Sequence, residues 1–209
     1  MERGSSLDTE SHWERVYATK RADQVSWFRP HLETSLDLIR KYAPDRDARM
    51  IDVGGGESTL VDDLIIQGYR SVDVLDLSAT ALAVAKRRLG ASAPVNWMHG
   101  DITKVDLGRH RYDLWHDRAV FHFLTDADNR LAYVRQVANT VKPGGHVIVA
   151  TFGPEGPTKC SGLDVVRYDP QTLHDEFGKR FASIDHVTEL HQTPAGAMQQ
   201  FVYCCCAVS

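Results

Sequence analysis

A chain of 209 residues with 43% apolar content is long for one domain and short for two, and it can bury a proper core. Its formal net charge of -4, from 24 Lys and Arg against 28 Asp and Glu, comes without a long basic run, which argues against a nucleic-acid partner. The polar N-terminal stretch lacks a signal-peptide core, and no segment approaches ~18 uninterrupted apolar residues, so the reading is a cytoplasmic protein with no membrane partner.

In chain order, two helices are expected over residues 11–19 and 32–42, separated by RADQVSWFRP. Trp13, Tyr17, Trp27 and Phe28 cluster there, either as packing on a sheet edge or as a lid over a ligand, since adjacent Trp27 and Phe28 suit a segment that covers something apolar. From about residue 50, short apolar runs alternate with amphipathic segments, the pattern of βαβ units and a parallel sheet. The expected strands are residues 49–53, 71–75, 95–99, 112–116 and 146–151, and the expected helices are residues 60–67, 80–89 and 129–141. A Gly- and Pro-rich loop, FGPEGPTKCSG, then leads to a short helix over residues 170–178. Strand-like runs over 181–190 and 198–206, joined by HQTPAGA, read as an antiparallel hairpin. The expectation is therefore a doubly wound α/β fold with a seven-stranded, mostly parallel sheet. Residues 1–44 would form an N-terminal helical segment and residues 45–209 the core of one domain. The cysteines, Cys160 and the run Cys204, Cys205 and Cys206, fit neither a metal-ligand spacing nor a disulfide framework and read as small buried hydrophobes. The ten histidines carry no zinc-protease spacing, and no metal is expected.

The strongest chemical signal is MIDVGGGES, an apolar strand ending in Asp52 and followed by Gly54, Gly55 and Gly56, with Glu57 and Ser58 at a helix start. Glycines at 54 and 56 let the backbone turn tightly and approach a ligand with no Cβ in the way. A dinucleotide pyrophosphate could sit on such a turn, but that pattern needs a third glycine where Thr59 stands. Asp76 and Leu77 end the next strand, where a carboxylate can accept both hydroxyls of a ribose. Asp101 and Ile102 end the third, placed for an adenine's exocyclic amine and ring face. Together these acids describe an adenosine pocket.

The order IDVGGGES, VLDLS, HGDI, YDLWHDRAVFHFL and VKPGGHVIVATF resembles the class I S-adenosylmethionine-dependent methyltransferases over residues 49–152, with Ser58 where the family's last motif glycine stands. The resemblance implies the Rossmann-like methyltransferase fold, to which a terminal antiparallel hairpin also belongs, and S-adenosylmethionine as cofactor. It implies cofactor contacts from Asp52, Gly54, Gly56, Ser58, Asp76, Leu77, Asp101, Ile102 and Asp117. HWERVY, SWF and HDRAVFHFL further look like the branch that holds small bacterial enzymes and lysine methyltransferases of elongation factors and citrate synthase, in which a Trp-Phe pair, here Trp27 and Phe28, closes over the cofactor. Asp117-Arg118-Ala119 departs from that branch's Asp-Lys-Gly, which speaks against a protein substrate.

Methyl transfer from a sulfonium needs alignment more than acid-base machinery. His116, Asp117 and His122 are the candidates for handling an acceptor's proton, against the alternative that each His is a hydrogen-bonded edge residue. Trp13, Tyr17 and Arg118 are the expected substrate contacts. The favoured acceptor is a small nucleophile, with a lean to a thiol or sulfide because no strongly placed base stands out. A protein lysine is the second reading, and a nicotinamide-dependent dehydrogenase or a non-catalytic adenosine-binding module the third.

Overall fold

The computed structural model describes residues 6–209. Two helices lead, α1 (Ser6–Thr19) and α2 (Glu33–Tyr42), followed by alternating strands and helices: β1 (Met50–Val53), α3 (Leu60–Ile66), β2 (Val72–Asp76), α4 (Ala79–Leu89), β3 (Val95–His99), β4 (Tyr112–Arg118), α5 (Ala127–Thr140) and β5 (Val141–Phe152). A short ribbon, β6 (Lys159–Cys160) and β7 (Leu163–Asp164), precedes α6 (Pro170–Phe177) and the hairpin of β8 (Phe181–Gln192) and β9 (Met198–Val208). The main sheet has seven strands in the order β3-β2-β1-β4-β5-β9-β8. β1 to β5 pair in parallel, and β9 runs antiparallel to both β5 and β8.

This order places the site. The chain steps outward from β1 to β3 and then returns to lay β4 on the other side of β1, so the carboxyl ends of β1 and β4 splay apart, the usual position of a ligand crevice in open α/β sheets. The central strands are buried on both faces. On one face Ile39 of α2 and Leu60 and Leu64 of α3 pack on Met50, Val72 and Leu114; on the other Tyr133 of α5 and Phe177 of α6 pack on Ile51, Trp115 and Val147. The cysteine run alternates as expected: Cys204 and Cys206 enter the second core and Cys205 the first, all as free, buried thiols.

Several boundaries differ from the expected ones: β4, β8 and β9 each run two residues further, to Arg118, Gln192 and Val208, and α5 begins two residues earlier, at Ala127. α1 starts earlier than expected, at Ser6. β5 starts at Val141, directly at the end of α5, because Val141 already pairs with Tyr112 before an irregularity re-registers Leu114 on His146. Within the Gly- and Pro-rich loop, Ser161 (φ 49°) and Gly162 (φ 83°) make the two-residue left-handed turn that closes a hairpin, which folds this loop into the β6–β7 ribbon. No helix among the described residues is long and apolar enough to cross a membrane.

Candidate functional site

The turn after β1 is shaped by its glycines. Gly54 (φ 71°) and Gly56 (φ 48°) adopt conformations that side chains rarely take. A Cβ on Gly54 would lie 2.0 Å from Cγ2 of Val120, and one on Gly56 would lie 2.8 Å from the Tyr17 hydroxyl and 3.1 Å from Oδ2 of Asp76. The turn is clamped from behind by Arg88 of α4, which donates to the carbonyls of Glu57 (3.1 Å) and Ser58 (2.7 Å) and pairs with Asp62. Ser58 accepts from the Leu60 N–H and so opens α3.

Asp76, buried at the end of β2, accepts from the Ser78 N–H at 2.7 Å. Burial pushes its carboxyl up to about 7, although the Ser78 and Gly56 amides favour the charged form, with the Asp52 charge adding to the rise. A desolvated carboxylate beside a side-chain-free backbone is a cradle that the diol of a ribose fits. Asp101 sits at the end of β3 with one oxygen accepting from the Thr103 N–H and hydroxyl and the other on Lys104 at 3.0 Å. Ile102 is buried in the second core, and the Leu77 carbonyl faces His99 at 3.1 Å.

Between β1 and β4 lies a narrow cavity of about 50 Å³, lined by Asp52, Gly54, Gly55, Ser58, His116 and Arg118 from the sheet side and by Tyr17, Trp27, Phe28 and Arg29 from the N-terminal segment. The expected aromatic cluster is thus assembled: Trp13 makes edge contacts with Trp27 (5.7 Å) and Phe123 (5.1 Å), and Tyr17 with Trp27 (6.3 Å). Trp13 stands behind the wall and does not line the cavity. α1 is tied to the sheet by Glu14, which accepts from the Thr80 N–H at the start of α4. The segment after it is held by Arg118 on the Trp27 carbonyl (3.3 Å) and by His191 on that of Ser26 (2.7 Å).

The residues proposed for proton handling part company. His116 lines the cavity, donating from Nδ1 to Asp52 at 2.7 Å, with Nε2 2.9 Å from the Ser35 hydroxyl. Asp117 points to the opposite face, as alternate strand residues must, and accepts from the N–H groups of Val120 and Phe121 and from the Tyr133 hydroxyl at 2.6 Å. That bonding fixes the strand-to-loop exit, outside the cavity. Its carboxyl is raised to about 6, mainly by burial. His122 is buried against Phe123 and Phe152, and its Nδ1 accepts from the Phe152 N–H, so the ring proton is on Nε2. Burial, with the Arg118 charge second, drives it down to about 3, leaving a neutral ring that is not positioned as a base.

Sequence reasoning missed Arg29, Ser35, Glu189 and Tyr203. Glu189 receives Arg29 (3.1 Å) and Arg118 (3.3 Å), and Tyr203 accepts from Arg118 at 3.2 Å. Arg29 follows Trp27-Phe28 directly and could have been read as part of that segment; the others lie on distant elements and carry no motif. No cluster of three or more His, Cys, Asp or Glu side chains disposed to hold a metal occurs among the described residues.

Residues 50–145 match the family model described as methyltransferase domain. Among curated proteins, a malonyl-[acyl-carrier protein] O-methyltransferase of Halalkalibacterium halodurans is 30% identical over 124 residues, covering 57% of this chain and 45% of that protein. The chain spans about half the length of the curated relatives it matches first. Among solved structures, one described as conversion of a disulfide bond into a thioacetal group during echinomycin biosynthesis aligns with a TM-score of 0.79 at 15% identity, over 96% of this chain and 92% of that one. The N-methyltransferase NodS from Bradyrhizobium japonicum, solved with S-adenosylhomocysteine, aligns with a TM-score of 0.72 at 15% identity, over 96% and 98%. The fold expected from the sequence, a mostly parallel seven-stranded sheet with a terminal antiparallel hairpin, is the fold these neighbours share.

Proposed function

We propose, for a chain whose residues 50–145 match a methyltransferase-domain model, that it is an S-adenosylmethionine-dependent methyltransferase acting on a small nucleophilic acceptor. The cofactor supplies an activated sulfonium methyl, so the reaction is an in-line displacement governed by alignment. Asp76 accepts the ribose hydroxyls, and Gly54 and Gly56 leave room for the donor's backbone-hugging part, with Asp52 and Ser58 beside them. Asp101, Ile102 and Leu77 are kept for the adenine end. Tyr17, Phe28 and Arg118 face the acceptor, and Trp13 and Trp27 shut out water, in which a nucleophile reacts less readily.

One observation carries the reading of a small acceptor: the cavity is narrow and walled on one side by the aromatic N-terminal segment. The lean to a thiol gains nothing from the cavity, whose wall includes the hydrogen-bonded pair of Asp52 and His116. The test is incubation with a methyl-labelled donor and, separately, pools of small metabolites and of cell protein. Label is expected in the small-molecule pool. Label in protein alone would make the acceptor a polypeptide and overturn the reading.

A further inference from the structure

Two guanidinium groups of the cavity wall meet at one carboxylate oxygen. Oε1 of Glu189, on β8, takes Nη1 of Arg29 at 3.1 Å and Nη2 of Arg118 at 3.3 Å, while its Oε2 lies 3.4 Å from the Tyr203 hydroxyl. Burial alone would raise the Glu189 carboxyl, but the Arg118 charge, a hydrogen bond from Thr34 and the Arg29 charge hold it below its ordinary value, so it is ionised. One buried negative charge therefore faces two positive ones. Arg29 also pairs with Glu33 at 3.3 Å, but that side chain is 61% exposed and its pull is screened by water. The acids on the cavity wall, Asp52 and Glu57, belong to the glycine-turn end, where Asp52 is taken by His116 and Glu57 stands near the charges of Arg88 and Arg87.

The guanidinium of Arg118 lies over the Phe201 ring at 4.1 Å and its side chain is 5% exposed. Its Nε–H goes to Tyr203, one Nη1–H to the Trp27 carbonyl and one Nη2–H to Glu189, which leaves one N–H on each terminal nitrogen without a partner among the described residues. Arg29 uses one terminal nitrogen on Glu189 and the other on Glu33. Both side chains line the cavity, so the remaining donors and the surplus charge belong to it. Two like charges held at a single oxygen and out of water are unfavourable unless a second anion shares them, and the guanidinium fork matches the two oxygens of a carboxylate.

We propose that Arg29 and Arg118 bind a carboxylate of the acceptor, so that the small nucleophile methylated here is an organic acid anchored by its carboxylate. This rests on the methyl-transfer reading above and narrows its substrate class. The charge balance selects a monoanion: one surplus positive charge is neutralised by a carboxylate and overshot by a phosphate dianion. The polarity of the cavity agrees, since the cationic sulfonium of the donor suits the end that holds Asp52 and Glu57, and the arginines are left to the acceptor. Arg29 belongs to the N-terminal segment and Arg118 to β4, so an anion between them also ties the aromatic wall to the sheet, as the bond from Arg118 to the Trp27 carbonyl already does.

The experiment follows the side-chain signals of ¹⁵N-arginine-labelled protein, assigned by comparison with Arg29→Gln and Arg118→Gln, while acetate, acetamide or inorganic phosphate is titrated into protein saturated with S-adenosylhomocysteine. Acetate should shift the Arg29 and Arg118 signals saturably, acetamide, its neutral counterpart, should leave them in place, and phosphate should bind more weakly than acetate. Arg29→Gln leaves Arg118 paired with Glu189 and removes the surplus charge, so acetate affinity should fall at least ~10-fold, as for one lost charge-assisted contact, with S-adenosylhomocysteine affinity within about twofold. Acetate that moves neither signal overturns the proposal, and phosphate that binds more tightly than acetate overturns the carboxylate. Acetate that competes with S-adenosylhomocysteine, or an equal loss of affinity for both in Arg29→Gln, also overturns it, since the arginines would then hold the donor's own carboxylate. The wild-type titrations decide even if Arg29→Gln fails to fold. Small metabolites separated on an anion exchanger before incubation with labelled donor give a second reading: label is expected from the retained fraction, and label from the flow-through alone refutes an anionic acceptor. Failure to bind S-adenosylhomocysteine would instead count against methyl transfer itself, whereas failure of acetate to bind the saturated protein counts against the arginine site alone.

Discussion

On the β1–β2 side of the crevice a ligand meets mostly backbone, the Gly54 to Gly56 turn, together with the Asp76 carboxylate. On the β4 side it meets side chains, Arg29, His116 and Arg118, whose own partners come from α2, β8 and β9. The first half is local, built from two short segments joined by one crossover. The second is held by pairs such as Ser35–Tyr203 and Arg29–Glu189, which are separated by most of the chain. A backbone-made half tolerates little change in side-chain volume and serves any ligand of its shape; a side-chain-made half can be retuned residue by residue. Under the proposed methyl transfer, that contrast suits a division of labour between a shared donor and a particular acceptor.

The largest effect that could break the comparison is at Gly56. Gly56→Val adds a branched side chain at φ 48° against Tyr17 and Asp76, and should abolish donor binding by calorimetry while thermal unfolding remains cooperative. Normal binding would mean that the turn is not the donor's seat.

Next is Asp76→Ala, expected to weaken donor affinity at least ~10-fold, the range of one or two charge-assisted bonds. Because burial raises this carboxyl to about 7, wild-type affinity should also fall as pH drops from 8 to 5.5. The sign follows from the roles: only the ionised carboxylate accepts from both hydroxyls, so binding below about pH 7 must first release a proton. An affinity flat across that range would remove Asp76 from the site.

Deleting residues 1–28 bears on the other half. It removes Tyr17, Trp27 and Phe28 and should leave a folded sheet with weakened donor binding and nearly no turnover. In the intact protein, the donor should slow proteolysis near Arg21. A truncated protein that methylates at full rate would reduce the segment to packing.

The smallest expected effect on binding is at Asp117, where Asp117→Asn turns an amide donor towards the three donors it now accepts. Stability should fall by about 2 kcal/mol or more, read from denaturant midpoints, while donor affinity stays within about twofold. A large loss of affinity at unchanged stability would return Asp117 to the site.

The half built on the glycine turn was legible in the sequence for the same reason that it is local. Strand runs with glycines and acids at their ends announce themselves, and the expected edges of β1 to β3 fall within one residue of the observed ones. The aromatic cluster was legible as a cluster, from composition. What could not be read was which way alternate residues of β4 point: Asp117 looked as useful as His116 until the pleat sent it to the far face. Nor could Ser35, Glu189 and Tyr203 be found, because nothing local marks a residue whose partner is supplied by another layer. The ribbon at 159–164 escaped because a Gly- and Pro-rich stretch reads as loop unless the Ser161–Gly162 turn is recognised.

The position of β9 in the sheet has a consequence for the order of assembly. It comes after all the other strands in the sequence, yet it pairs with β5 on one side and β8 on the other, and it delivers Tyr203 to Ser35, the partner of His116. During synthesis the glycine turn, β2 and β3 have all emerged before residue 100, and β4 can join them soon afterwards, while β5 waits with an unpaired edge until residues 198–208 arrive. Contacts that bridge so much chain close late and slowly, and an open edge in the interval invites mispairing with other chains. A nascent chain would therefore hold a nearly finished glycine turn well before it could hold the wall built around β4. Ligand added early in refolding would meet only the first of the two.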